Sequence, residues 1–302
     1  MELDSIRKKR GALEKRAALF ASLRRSFDAA GFLEVETDLM IEAPAPEEYI
    51  ESIPAGTKFL RASPEIAMKI MLAAGYGRIY QIGRCFRSGE HGSRHREEFT
   101  MLEFYAAGLD YRALADFSCA LIRDAAIRLN GKPETPFRGR MVDFAAEPEV
   151  ITVEDAFCRY CEISMEEADK RDLFDELMVT RIEPRLGLDR LAILTDYPAN
   201  RASLARLSPE NPRIAERWEL YIGGLELANA YGELLDPAEQ RARFDATQRF
   251  RAARGMLSYP VANDFFAALK AGLPQCSGCA LGLDRLAMVF ADAADIGQVR
   301  AE

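Results

Sequence analysis

The densest group of chemically reactive side chains lies between residues 84 and 105, which read RCFRSGEHGSRHREEFTMLEFY. This stretch holds both histidines of the 302-residue chain, His91 and His95. It also holds four arginines, namely Arg84, Arg87, Arg94 and Arg96. A solvated surface would tolerate such a cluster, but Arg87 ends a predicted strand with apolar neighbours. Because guanidinium groups bind phosphate oxygens in a bidentate manner, the cluster favours a polyphosphate-binding loop.

A second candidate for anion binding is the segment CSGCALGLDRLAMVF. Gly278 and Gly282 interrupt a predicted strand, where glycine weakens pairing unless a group must approach the backbone closely. Arg285 then falls in the first turn of a predicted helix, where the helix dipole disfavours a cation. The neighbouring Asp284 could compensate this charge. An anionic ligand would explain the arginine and the glycines together.

Carboxylates dominate a third segment, RWELYIGGLELANAYGEL. A two-residue turn at Gly223-Gly224 pairs Tyr221 with Glu226 and leaves Glu219 diagonal to Glu226 on the same face. Like charges so placed destabilise a sheet unless a cation joins them. One or two carboxylates, completed by nucleotide phosphates, are how proteins usually hold Mg²⁺. The segment therefore suggests a magnesium site.

The same segment predicts an irregular strand. Strict alternation would send Asn229, Tyr231 and Glu233 to the face opposite Glu226. If all of them line one pocket, the strand must contain a β-bulge between residues 226 and 229.

Alternation along the strand 99–105 gives it one polar and one apolar face. Phe99, Met101, Glu103 and Tyr105 share the first face. An acid and a phenol beside an aromatic ring suit a ligand site, although a half-exposed sheet edge would explain them equally well. The apolar face suits packing against helices.

The elements that must position these residues alternate irregularly. Strands are predicted at 32–37, 79–87, 99–105, 218–235 and 276–283. Helices are predicted at 5–30, 64–74, 111–129, 237–254 and 263–270, and 151–190 is predicted to be mostly helical. Without a regular βαβ alternation or a linker, the pattern predicts one α+β domain over residues 1–302, built on a largely antiparallel sheet.

The composition argues against some functional classes. A formal charge of −8 and a pI near 5.2 argue against a general nucleic-acid binder, which usually carries a basic surface. The first 20 residues lack the apolar core of a secretory signal, and no stretch approaches the roughly 18 apolar residues of a membrane span. Six cysteines without an export signal fit reduced thiols. These features predict a soluble cytoplasmic protein.

Three segments in order, GFLEVET, FRSGEHGSRHREEFTMLEFY and ALGLDRLAM, resemble motifs 1, 2 and 3 of the class II aminoacyl-tRNA synthetases, in particular the lysyl branch. ASPEIAMK, LELANAYGEL and LPQCSGCALGLDRLAM resemble the stand-alone members of that branch, which aminoacylate elongation factor P. The resemblance covers nearly the whole chain and implies the class II catalytic fold and a homodimer. Because motif 1 begins almost at residue 1, we expect no N-terminal OB-fold and no tRNA binding.

The resemblance implies a ligase that uses ATP and Mg²⁺. It would activate lysine or (R)-β-lysine as an aminoacyl adenylate and transfer the acyl group to a lysine side chain of elongation factor P. The alternatives are a truncated lysyl-tRNA synthetase that charges tRNA and a catalytically silent paralogue that regulates a partner. Asp38, at the usual motif 1 proline, and Gly89, at a usual glutamate of motif 2, depart from the family pattern.

The resemblance also assigns roles to individual residues. ATP would contact Arg87, Glu90, Arg94, His95, Phe99, Glu219, Gly282 and Arg285, of which Arg87 and Arg285 would be catalytic. Phe99 would stack on adenine, with Arg285 on the other side. Glu219 and Glu226 would coordinate Mg²⁺. The amino-acid substrate would contact Glu65, Asn229 and Ala280 around its carboxyl and amino groups, and Glu103, Tyr105 and Glu233 at its ε-ammonium.

Overall fold

A sheet of eight strands, seen in a computed structural model that describes residues 3–302, positions the candidate site. The strands in chain order are β1 (Leu33–Glu34), β2 (Met40–Ile41), β3 (Pro54–Ala55), β4 (Lys58–Leu60), β5 (Arg78–Phe86), β6 (Glu98–Ala107), β7 (Glu134–Phe137), β8 (Arg140–Asp143), β9 (Glu149–Thr152), β10 (Ala192–Pro198), β11 (Ile214–Ile222), β12 (Leu225–Gly232) and β13 (Cys276–Gly282). The large sheet has the order β1-β5-β6-β13-β12-β11-β10-β9.

Helices connect and cover these strands. They are α1 (Leu3–Lys8), α2 (Arg10–Ala29), α3 (Glu65–Ala73), α4 (Tyr111–Asn130), α5 (Val153–Cys161), α6 (Met165–Lys170), α7 (Phe174–Leu177), α8 (Pro237–Ala253), α9 (Asn263–Gly272) and α10 (Leu283–Ala291). A π-helix (Met178–Ile182) and 3₁₀ turns (Glu183–Arg185, Ala199–Arg201, Ile296–Val299) complete the set. None of the helices within residues 3–302 combines the length and the apolar character needed to cross a membrane.

The pairing of the large sheet confirms the predicted α+β class with a largely antiparallel sheet. The central pairs β5–β6, β6–β13, β13–β12, β12–β11 and β11–β10 are antiparallel. Only the outermost pairs of this sheet, β1–β5 and β9–β10, are parallel.

Local sequence signals set several element boundaries. The carboxylate of Asp110 accepts hydrogen bonds from the first turn of α4, and Gly131 ends that helix with φ 72°. Asp236 caps α8 in the same way, ahead of a proline in the first turn. The predicted helix 5–30 is divided into α1 and α2, and the region 151–190 contains short helices after the end of β9.

The main core lies on one face of the large sheet, under α2, α4 and α10. Phe27 of α2 stacks on Tyr80 with ring centroids 4.3 Å apart, and Leu102 and Phe104 from the predicted apolar face of β6 belong to the same cluster. Burying each such side chain stabilises the fold by about 1.5–3 kcal/mol. The polar face of β6 therefore points to the other side of the sheet, away from these helices.

The hairpin of β11 and β12 contains the predicted irregularity. Tyr221 pairs with Glu226, whereas Leu220 pairs with Ala228, so Leu227 is the extra residue. Leu227 and Ala228 are both buried in the main core. The predicted bulge is thus confirmed, and it places Glu226 and Asn229 on the same face of the sheet.

The two glycines of β13, Gly278 and Gly282, differ in how closely other atoms approach them. A Cβ atom at Gly278 would overlap the ring of Tyr105 and lie 2.6 Å from the Glu233 carboxylate, whereas one at Gly282 would meet nothing closer than 3.7 Å. The explanation of both glycines by an anionic ligand is therefore wrong for Gly278, which is required by close packing within the protein. Gly282 leaves its backbone accessible.

This difference is testable with two matched substitutions. We expect Gly278→Ala to lower the free energy of unfolding by about 1–3 kcal/mol, because the added methyl group overpacks the sheet. Gly282 lies directly before α10, where alanine stabilises a helix start less than glycine does. We therefore expect Gly282→Ala to lower the free energy of unfolding by under about 1 kcal/mol. Urea denaturation of both variants gives the comparison. Equal losses would contradict the packing argument.

Candidate active site

A cleft of about 750 Å³ opens on the face of the large sheet opposite the main core. Every residue that the sequence predicted for the site lines it: Glu65, Arg87, Glu90, Arg94, His95, Phe99, Glu103, Tyr105, Glu219, Glu226, Asn229, Glu233, Ala280, Gly282 and Arg285. The prediction that Arg87, His95 and Arg285 share one cleft is confirmed. Their individual roles stay predictions.

Strand pairing explains how distant segments meet in the cleft. Glu219 pairs with Asn229, Asn229 with Ala280, and Ala280 with Glu103. These four residues form one row across β11, β12, β13 and β6. A second row joins Tyr231, Gly278 and Tyr105. The first row runs from Glu219, a predicted magnesium ligand, to Glu103 in the predicted ammonium pocket.

One end of the cleft is cationic, and the loop between β5 and β6 supplies most of its charge. Arg87, Arg94, His95 and Arg96 of this loop line the cleft. The other two basic residues of the sequence cluster do not: Arg84 lies 3.3 Å from Glu98, and the side chain of His91 is 70% exposed beside Glu97. The sequence identified the loop correctly but could not separate these two outward-facing residues.

Arg285 and His95 are in direct contact. The Nη2 atom of Arg285 lies 2.5 Å from Nε2 of His95, so this histidine nitrogen accepts the hydrogen bond and the ring is neutral. Burial, followed by the charge of Arg285, lowers the pKa of His95. Arg285 also donates to the Glu226 carbonyl at 3.0 Å and lies 3.3 Å from its carboxylate.

Asp284 does not compensate Arg285, and that alternative is wrong. Its carboxylate is buried and accepts from Arg16 at 2.8 Å, from Arg300 at 3.1 Å and from the backbone N–H of Thr100 at 2.8 Å. Asp284 therefore joins α10 to α2 and β6. The carboxylate nearest to Arg285 is instead that of Glu226, inside the cleft.

The loop between β5 and β6 is held by a glutamate near its end. The backbone N–H of Gly89 donates to the Glu97 carboxylate at 2.8 Å, and Gly89 has φ 77°, which favours glycine. Arg96 points out of the loop and donates to Glu302 at 2.8 Å and to Asp295 at 3.3 Å. The backbone N–H of Ile296 donates to Ser93 at 2.8 Å, so the C-terminal segment supports this loop.

The predicted magnesium ligands already have partners in the protein. Glu219 accepts from Arg217 at 2.7 Å and from the Tyr221 hydroxyl at 2.6 Å. Burial, then the charge of Glu219, raises the pKa of Glu226. The cations near these carboxylates are thus arginines. Arg217 was missed by the sequence analysis, although its alternation with Glu219 along β11 was a usable signal.

The donor set fits a magnesium ion shared with a nucleotide. Glu219 and Glu226 offer two hard oxygen ligands on adjacent strands, and residues 3–302 contain no group of three or more side chains suited to holding a metal by themselves. Proteins commonly hold Mg²⁺ through one or two carboxylates plus phosphates. Glu183, a further acid in the cleft, has its pKa raised to about 7 by burial and then by Glu226.

The opposite end of the cleft is acidic. Glu103 is buried, and its carboxylate accepts from the Tyr105 hydroxyl at 2.6 Å and from Ser63 at 2.7 Å. Burial, then the charge of Glu65, raises the pKa of Glu103 to about 8. Both hydrogen-bond partners of this acid are neutral hydroxyls.

A buried ammonium that was not predicted from the sequence lies at this end. Lys69 of α3 has a fully buried side chain, and its Nζ atom lies 2.5 Å from both Glu65 and Glu233. Although burial lowers the pKa of Lys69, the charges of Glu233 and Glu65 outweigh it and raise that pKa. The four-residue spacing of Glu65 and Lys69 on one helix was the available signal.

Five buried polar atoms of cleft residues lack a hydrogen-bond partner within the described chain: Nε of Arg87, Nε of Arg217, the Tyr197 hydroxyl, Oδ1 of Asn229 and Oε2 of Glu233, the last of which has an ion-pair contact with Lys69. Buried polar atoms are usually paired, so this group in one cleft indicates a ligand-binding site. The guanidinium of Arg87 lies 5.1 Å from the centre of the Phe99 ring. The stacking of adenine between Phe99 and Arg285 stays a prediction.

A loop between β2 and β3 brings a further acid into the cleft. Glu47 lines it, and burial raises the pKa of its carboxyl group. The fully buried Arg251 fixes this loop by donating to the carbonyl groups of Glu47 and Ile50 at 2.8 Å each. The sequence carried no signal for this contact, because about 200 residues separate the partners.

Comparison with known proteins agrees with the fold and the cleft. Residues 2–301 match the family described as "tRNA synthetases class II (D, K and N)", and the chain belongs to that family. Two relatives bear the name elongation factor P–(R)-β-lysine ligase. The one from Klebsiella pneumoniae subsp. pneumoniae is 39% identical and the one from Yersinia pestis is 38% identical. Each match covers 96% of this chain and 94% of the relative.

The contact between His95 and Arg285 makes a spectroscopic prediction. In the free protein we expect His95 to titrate below the usual histidine pKa, and tripolyphosphate should raise its pKa because the anion offsets the charge of Arg285. NMR titration is direct, since the chain contains only two histidines and His91→Gln assigns the second resonance. A pKa of His95 that does not respond to tripolyphosphate would contradict this arrangement.

Proposed function

We propose that the protein is an ATP-dependent ligase. It activates lysine or (R)-β-lysine as an aminoacyl adenylate and transfers the acyl group to a lysine side chain of elongation factor P. The observation that carries this proposal is the polarity of the cleft, with cations at one end and buried carboxylates at the other. ATP offers phosphates to the first end, and lysine offers an ammonium group to the second. Family membership and the names of the relatives support the same reaction.

In the first step, an oxygen of the substrate carboxylate attacks the α-phosphorus of ATP. The bond from that phosphorus to the bridging oxygen breaks, and pyrophosphate leaves. Arg87 of the cationic end would neutralise charge at the reacting groups, while Arg94, His95 and Arg285 would hold the outer phosphates; all four line the cleft. No covalent bond to the protein is required, so positioning and charge neutralisation supply the catalysis.

Glu219 and Glu226 would hold Mg²⁺ together with the phosphates. When bound, the ion neutralises phosphate charge. In its absence Arg217 and Arg285 neutralise these two carboxylates, so the protein keeps both acids in place before the nucleotide arrives.

In the second step, the amine nitrogen of the acceptor lysine attacks the acyl carbon. The bond from that carbon to the phosphate oxygen breaks, AMP leaves with the electron pair, and the attacking amine loses one proton. The homodimer, the single catalytic domain without an OB-fold, the absence of tRNA binding and the cytoplasmic location stay predictions from the sequence.

Intact-mass analysis tests the proposed function. Elongation factor P incubated with the protein, ATP, Mg²⁺ and either lysine isomer should gain the mass of one lysyl group. Arg87→Met should slow this reaction by about 10²–10³-fold, the usual cost of losing a group that stabilises transition-state charge. Arg84→Met is the matched control, because Arg84 pairs with Glu98 outside the cleft.

Two outcomes would overturn the proposal. Transfer of labelled lysine to tRNA but not to elongation factor P would identify a truncated synthetase. Absence of lysine-dependent pyrophosphate exchange with every lysine isomer would identify a catalytically silent paralogue.

The acidic end predicts proton release when lysine binds. With a pKa of about 8, Glu103 is protonated in the free protein at pH 7, and an ammonium beside it favours the ionised form. Binding should therefore release roughly one proton at pH 7 and almost none at pH 9, and affinity should rise with pH up to about 8.

Calorimetry in buffers of different ionisation enthalpy measures this release. Glu103→Gln should reduce it, because an amide has no proton to lose in this range. Binding heats that are independent of the buffer at pH 7 would refute the charge assignment.

A further inference from the structure

The acidic end of the cleft has a definite charge balance. Glu65, Glu103 and Glu233 contribute three negative charges when ionised, and Lys69 contributes one positive charge. Once an ammonium ligand has displaced the proton of Glu103, the net charge is therefore −2. A monocarboxylic acid with two ammonium groups supplies the matching +2, while its carboxylate is left for Arg87 in the cationic half of the cleft.

We infer that Lys69 is a specificity-determining positioning residue, which sets the charge of this pocket to match a diamino monocarboxylic acid. The inference rests on the proposed function and deepens it. Lys69 does not line the cleft, so it acts through the two carboxylates that it contacts.

The geometry shows how Lys69 acts on those carboxylates. Its ammonium binds Oε1 of Glu65 and Oε2 of Glu233, one oxygen of each acid. The Oε1 atom of Glu233 remains on the side of Gly278 and Tyr105, where the cleft lies. Lys69 therefore holds both carboxylates in fixed orientations, with oxygen atoms left over for the ammonium groups of the substrate. Its charge also opposes the burial that raises the pKa of Glu233 to about 7.

Several titratable groups surround the Lys69 ammonium and contribute to the charge of the acidic end. They are Glu65 on α3, Glu103 and Tyr105 on β6, Glu233 after β12, and Cys276 on β13. Without Lys69, three buried carboxylates would face two substrate ammonium groups. One carboxylate would then remain unpaired, and a buried unpaired charge is avoided by taking up a proton.

The test compares Lys69→Met, of similar length but neutral, with the wild-type protein. At pH 7 we expect the KM for lysine to rise at least about ten-fold, because breaking a buried ion pair is costly, and the KM for ATP to stay within about two-fold. The pH profile should also change shape. The affinity of the wild type for lysine should level off above about pH 8. The affinity of Lys69→Met should instead fall again at higher pH, when the unpaired carboxylate loses the proton that it had taken up.

Chemical rescue separates charge from packing. Lys69→Ala removes the atoms that propylammonium would replace, so propylammonium should restore lysine binding to this variant, and 1-propanol, of similar shape but neutral, should not. The same additives applied to the wild type show any direct competition with lysine. This second variant keeps the inference testable if Lys69→Met does not fold.

The outcomes distinguish the inference from the proposed function. A folded Lys69→Met protein with the wild-type KM and pH profile, or rescue of Lys69→Ala that is equal with both additives, would overturn the role of Lys69 alone. A wild-type protein that catalyses no lysine-dependent pyrophosphate exchange would overturn the proposed function, and the inference with it.

Discussion

The structure depends on neutralising charges that have been removed from water. A buried ion is costly unless a partner of opposite sign lies beside it. The cleft meets this constraint differently at its two ends. At the cationic end, Arg285 contacts a neutral His95 and the Glu226 carboxylate, so part of its charge remains for an anion. At the acidic end, Lys69 neutralises one of three carboxylate charges and leaves the others for a cation.

The antiparallel sheet determines where these charged groups lie relative to one another. Cross-strand pairing brings Glu219, Asn229, Ala280 and Glu103 into one row, although up to 177 residues separate neighbours in that row. On the other face of the sheet, the helices pack against the intervening side chains of the same strands and form the main core. One set of strands therefore supplies both the stability of the fold and the polarity of the cleft.

Much of this arrangement was predictable because it depends on local periodicity. The alternation of side chains predicted the polar face of β6, and the Gly223-Gly224 turn predicted the register of the hairpin. The requirement that Glu226 and Asn229 line one pocket predicted the bulge. The contacts of Lys69 with Glu233 and of Arg251 with Glu47 were not predictable, since each joins segments far apart in sequence through a side chain that is usually on the surface. The reason for Gly278 was missed for a similar cause: the ring that packs on it belongs to a neighbouring strand.

The extra residue in β12 has a consequence for how this strand can vary. Because Leu227 alone shifts the alternation, the length of the strand matters more than the identity of any one side chain in it. Losing that single position would rotate Asn229, Tyr231 and Glu233 into the apolar layer beneath the sheet and bring their leucine and alanine neighbours to the solvent side. Descendants of this sequence should therefore accumulate replacements along β12 far more readily than gaps.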